Sequence, residues 1–124
     1  MNLKKRELKY MRDKMIVDKM LRYAAKICEY CRGTSYDEFR SNDMRIEACV
    51  FNLSQIGELT TKLGEDFKQE NSQVAWAQIY GLRNRIVHDY DGVNLRLIWE
   101  IISDDMPELV RELDGIKKRF EENE

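Results

Sequence analysis

Only one proline, Pro107, and six glycines punctuate 124 residues. A chain with so few breakers has few places to turn, so long helices are favoured over a strand-and-turn fold. No stretch alternates with period two for long enough to argue a sheet. The expected fold class is therefore all-α, an up-and-down bundle of four to five helices in a single domain over residues 1–124.

Helix signals divide the chain into four main segments. The first is predicted from about Leu3 to Arg32, stopped at Gly33, with Met15, Met20, Tyr23, Ile27 and Cys31 at helical spacings. A single turn is expected at Tyr36 to Phe39. Asn42 is a cap for the second helix, which should reach Leu63 and stop at Gly64, burying Ile46, Cys49, Leu53, Ile56 and Leu63. Ser72 is the expected cap of the third, which runs to about Tyr90 and ends at the Asp91-Gly92 turn. The fourth starts after Asn94, and Pro107 either re-angles it or begins a new helix after Asp104 and Asp105. Residues 1–11 read as an extended basic start and 121–124 as a frayed acidic tail.

Charge and cysteine usage narrow the class of function. No apolar run approaches the roughly 20 residues that span a bilayer, and no signal-peptide pattern follows the basic start, so a cytoplasmic protein without membrane contact is expected. Three cysteines, Cys28, Cys31 and Cys49, suit a reducing compartment. Cys28 and Cys31 form a C-x-x-C pair, but the set lacks the four ligands and context of a zinc or thioredoxin-like site, so helix packing is its expected role. A formal net charge of −2 argues against nonspecific coating of nucleic acid, and no DNA partner is expected. It leaves room for an enzyme that grips a few phosphates.

The third segment carries the chemistry. With Arg83 at zero on an ideal wheel, Ala75, Ile79, Leu82 and Ile86 fall between roughly 260° and 320°, a stripe fit to be buried. Trp76, Tyr80, Arg83, Asn84, Val87, His88 and Tyr90 fall between roughly 340° and 140° through zero. Asn84 and His88 are i, i+4 neighbours, and Arg83 lies on one line with Tyr90. Arg83 and His88 differ by about 140° and would not touch, yet both could border a cleft closed by a second surface. A histidine suits proton transfer near neutral pH, and an arginine fork suits phosphate oxygens. Asparagine can orient the histidine. The set fits attack of a ribose 2′-hydroxyl on the adjacent phosphate, with no metal and no cofactor required. The plainer readings are a surface capping histidine, and Trp76 and Tyr80 as core.

The stretch GLRNRIVHDYDGVNLRLIWEII, Gly81 to Ile102, resembles the signature region of HepT-like proteins of the HEPN superfamily. Arg83, Asn84 and His88 match its Arg–polar–x3–His pattern, and Tyr90 matches the tyrosine two residues after the histidine. IGEL at Ile56 to Leu59, Trp76, and Asp105-Met106-Pro107-Glu108-Leu109 extend the similarity over roughly Met15 to Leu113. The resemblance implies a helical homodimer whose two motifs share one cleft, and a toxin ribonuclease that cleaves RNA without metal. Arg83 and His88 would be catalytic, supported by Asn84 and Tyr90. It also implies a cognate antitoxin, an MNT-type nucleotidyltransferase that transfers AMP to Tyr90. The alternative is a HEPN-type dimer that binds a nucleotide or partner without cleavage.

Overall fold

A computed structural model of the chain describes residues 2–89 and 94–124, with the side chains of residues 87–89 outside the description. The described residues form eight α-helices: α1 (Leu3–Cys31), α2 (Tyr36–Arg40), α3 (Asp43–Thr60), α4 (Glu65–Glu70), α5 (Trp76–Tyr80), α6 (Leu82–Asp89), α7 (Leu95–Glu100) and α8 (Met106–Glu122). No strand occurs among them, as expected for an all-α fold. None of the described helices is long and apolar enough to cross a membrane.

Helix α1 is the spine, packed against both α3 and α8. The Sγ atoms of Cys31 and Cys49 lie 3.6 Å apart at one end, and the Gly64 N–H donates to Asp13 Oδ1 at 3.2 Å near the other, so α3 runs antiparallel to α1. Tyr10 donates to the Phe120 carbonyl at 2.8 Å and Lys117 faces Asp18, so α8 also runs antiparallel. Met20, Ile27, Leu53, Ile56, Leu113 and Ile116 form the shared core. Tight packing there stabilises the bundle mainly by removing apolar surface from water.

Several boundaries follow the sequence signals. Gly33 has φ +70, the left-handed stop that lets the chain leave α1. Asn42 and Asn94 cap α3 and α7 by accepting from Arg45 N–H at 3.0 Å and Leu97 N–H at 3.2 Å. Ser35 and Glu38 close a capping box on α2. Pro107 does begin a new helix: the chain widens into a π turn over Ile101–Asp105, with Met106 N–H bonded to the Ile101 carbonyl. Proline's missing N–H and its ring forbid regular α geometry across that point. Asn94→Ala should lower stability by about 1 kcal/mol, the usual effect of losing an N-cap side chain. Urea unfolding would measure it, and an unchanged midpoint would contradict the role given to this cap.

Other boundaries differ. The second helix ends at Thr60, not Leu63, and Gly64 does not stop it. With φ −67 and ψ 148 Gly64 instead opens α4, which buries Phe67. Ser72 caps nothing. Residues 71–74 curl into turns because buried Asn71 donates to the Phe67 carbonyl at 2.9 Å and the Trp76 indole donates to the Asn71 carbonyl at 3.0 Å. The third segment therefore starts at Trp76 and breaks at Gly81, which separates α5 from α6. Met15, predicted in the apolar stripe of α1, is 59% exposed, whereas Met20, Ile27 and Cys31 are buried. The bundle thus has three long helices, with the predicted third and fourth segments split into shorter pieces.

Candidate active site on helix α6

Three buried side chains fix α6 and the end of α5: Ile79, Leu82 and Ile86 face the core. That stripe is the one the wheel assigns. Ala75 departs from it, being exposed and outside any helix. With this face inward, Arg83 and Asn84 point away from the core, and both are exposed. His88 lies five residues after Arg83 on the same helix, so Asn84 and His88 keep their i, i+4 relation along the backbone. The His88 side chain and all of Tyr90 lie outside the described residues.

A close approach of α3 holds the site. A Cβ placed on Gly57 would meet the Ile79 carbonyl oxygen at 3.2 Å, Arg83 N at 3.4 Å and Arg83 Cβ at 3.5 Å. Glycine here lets α3 lie directly against the α5–α6 junction. One residue on, Glu58 Oε2 accepts from Arg83 Nη1 at 2.7 Å. Both partners are substantially exposed, 44% for Glu58 and 61% for Arg83, so the pair contributes well under about 1 kcal/mol to stability. Its consequence is positional: the carboxylate orients the exposed guanidinium. The sequence reading missed Glu58 as a site residue. The only signal for it was the IGEL similarity, since its partner is 25 residues away.

Trp76 is not part of the exposed arc. It is buried, 6.1 Å from the Phe67 ring, and its indole N–H is bonded. Its ring is held inward by Phe67 and by the bonds of its indole to the turn before α5, so its plainer reading as core is right. Tyr80 remains 55% exposed. Cys31 and Cys49 are buried and Cys28 half-buried, all as free thiols packing helices. Burial and the neighbouring Cys31 push the Cys28 thiol above its ordinary value.

An alanine pair tests the close approach. Alanine exceeds glycine in helix propensity by about 1 kcal/mol. Gly115→Ala in α8, where a Cβ meets nothing within 4 Å, should gain about that much. Gly57→Ala should fail to stabilise, because the closest atom, the Ile79 carbonyl oxygen at 3.2 Å, is backbone and cannot swing aside. Urea midpoints of the two variants decide it; equal stabilisation would contradict the packing described.

An all-helical bundle with an arginine, an asparagine and a histidine along one short outer helix is the class that fold and site define. The family model described as Ribonuclease HepT-like matches residues 20–116, and the chain belongs to that family. Among curated proteins it is 32% identical over 62 residues to a candidate RNase of Caldanaerobacter subterraneus subsp. tengcongensis, covering 50% of this chain and 55% of the relative. It is 32% identical over 69 residues to a candidate RNase of Methanocaldococcus jannaschii, covering 56% of this chain and 63% of that one. A second such protein of the same archaeon is 32% identical over 62 residues, covering 50% and 51%. The chain thus spans between about half and two thirds of the length of the curated relatives it matches. No solved structure matches it.

Proposed function

We propose that this chain is the toxin of a bacterial toxin–antitoxin pair, an endoribonuclease that cleaves RNA without a metal through Arg83 and His88. The observation that carries the reading is Arg83, exposed on α6 and aimed by Glu58, with Asn84 beside it and His88 on the same helix in a HepT-like chain. Arg83 binds the scissile phosphate and meets the charge that grows on its oxygens, displacing Glu58. His88 takes the proton of the ribose 2′-hydroxyl as that oxygen attacks phosphorus. The bond from phosphorus to the 5′-oxygen of the next nucleotide breaks, that oxygen takes a proton from water, His88 later returns its own proton to solvent, and a 2′,3′-cyclic phosphate remains. Asn84 orients the imidazole from one turn earlier.

The active form in this proposal is a homodimer. On an ideal wheel positions 83 and 88 lie about 140° apart, so an opposing surface would let both act on one phosphate. Exposed Met44 and Phe51 lie fourteen and seven residues before Glu58, on the same side of α3, and with Tyr80 they supply apolar area for a second copy. Tyr90 is the proposed acceptor of AMP from a nucleotidyltransferase antitoxin. The purified, unmodified protein should cleave tRNA or mRNA in EDTA and leave cyclic phosphate ends. Intact RNA, or cleavage abolished by EDTA, would contradict it.

A further inference from the structure

The formal charge of the chain is unevenly placed. Residues 1–14 carry six lysines and arginines against Glu7 and Asp13, a net of +4, in a protein whose total is −2. This segment precedes the family match, which begins at residue 20. It is nonetheless helical, forming the first three turns of α1, with Lys4, Lys5, Arg6, Lys9 and Arg12 all exposed.

One side of these turns borders a cavity of about 680 Å³ at the end of the bundle, between the start of α1, α4 and the end of α8. Part-buried Tyr10 meets the Phe120 ring edge-on at 5.0 Å at its wall, and Phe120 stacks on Phe67 at 5.8 Å, both of these being buried beneath it. Arg6, Lys9 and Arg119 bring positive charge to it. Arg119 is held by buried Asn71, whose Oδ1 accepts from Nη2 at 2.8 Å. Asp13, Asp66 and Glu70 also line it, so the site is no simple anion hole. Cations for phosphates, the open part of the Tyr10 ring for a base and carboxylates for exocyclic amines or ribose hydroxyls are together the donor set of a nucleotide in single-stranded RNA. Arg83 and Asn84 do not line this cavity.

We propose that the cavity and the cationic first turns of α1 form an RNA-anchoring site separate from the α6 motif, holding one nucleotide and its flanking phosphates. The inference rests on the ribonuclease reading for its substrate, and its test separates the two. Anisotropy with a fluorescent 12-nucleotide single-stranded RNA, in a His88→Ala background that leaves the RNA intact, reports binding. Arg6→Gln/Lys9→Gln should weaken binding by about tenfold and flatten the slope of log K against log salt by about 1.4, the counterions of two phosphate contacts. With His88 restored, the same change should raise KM and leave kcat unaltered. The charge-matched control Lys26→Gln/Arg40→Gln, on exposed residues away from the cavity, should alter none of these.

Equal affinity, slope and KM in the Arg6/Lys9 variant, with cleavage intact, would overturn the anchoring site and leave the ribonuclease reading standing. Displacement of the RNA by polyglutamate of matched charge would also overturn it, marking a surface for acidic proteins. A chain that cleaves nothing but binds RNA through Arg6 and Lys9 would keep the site and overturn the nuclease.

Discussion

His88→Ala and Arg83→Ala are each expected to lower RNA cleavage by a factor of about 10² to 10⁴ while leaving the fold intact. The fold should survive loss of Arg83 because that side chain is exposed and its pair with Glu58 contributes little to stability. The two losses have different origins. Without His88 no group near neutral pKa takes the 2′-hydroxyl proton. Without Arg83 the phosphate loses its fork, and Glu58 is left facing it as a like charge. Arg83→Lys should recover only part of the rate, since a point charge cannot bond two oxygens in one plane. Single-turnover rates on a defined RNA, with circular dichroism as the control on folding, would measure these effects. Wild-type rates for His88→Ala would show that the α6 motif is not the cleaving site.

Regulation should hinge on Tyr90. Co-expression with the cognate nucleotidyltransferase is expected to add mass in steps of AMP and to silence toxicity completely, and Tyr90→Phe should abolish both effects. The phenol follows His88 by two residues, and on an ideal continuation of α6 it lies about 20° from Arg83. An adenylate there brings a phosphate that an arginine can pair, together with a base and ribose bulky enough to exclude RNA. Phenylalanine keeps the ring and removes only the attacking oxygen. Intact-mass spectrometry of the co-expressed protein and growth of the host give two independent readouts. If Tyr90→Phe is silenced as well as wild type, the partner neutralises the chain by binding alone.

The scarcity of breakers made the helical class legible, and Gly33, Asn42, Asn94 and Pro107 marked boundaries because each acts through its own backbone. What stayed hidden was set by tertiary contacts. Gly64 reads as a stop, yet its N–H bonds Asp13 of α1 and its backbone opens α4. Ser72 reads as a cap, but Asn71 and Trp76 tie that stretch into turns through bonds to neighbouring carbonyls. Met15 fits a helical stripe, yet at this level of α1 the neighbouring Ile16 and Val17 are the side chains turned into the core. At the proposed site, the motif spacing pointed to Arg83, Asn84 and His88, and all three positions share one helix. Glu58 was marked only by the IGEL similarity, since its meeting with Arg83 depends on the close crossing of α3 at Gly57.

A ribose 2′-hydroxyl is expected to attack the phosphate bound at Arg83. The most direct test is a pair of oligonucleotides of one sequence, all-ribose in the first and carrying a single 2′-deoxy sugar at the mapped cleavage position in the second. In EDTA, the all-ribose strand should be cut to a 2′,3′-cyclic phosphate and the substituted strand should survive at that position. Cutting of both strands at similar rates would contradict the account, because the attacking group would then have to come from elsewhere.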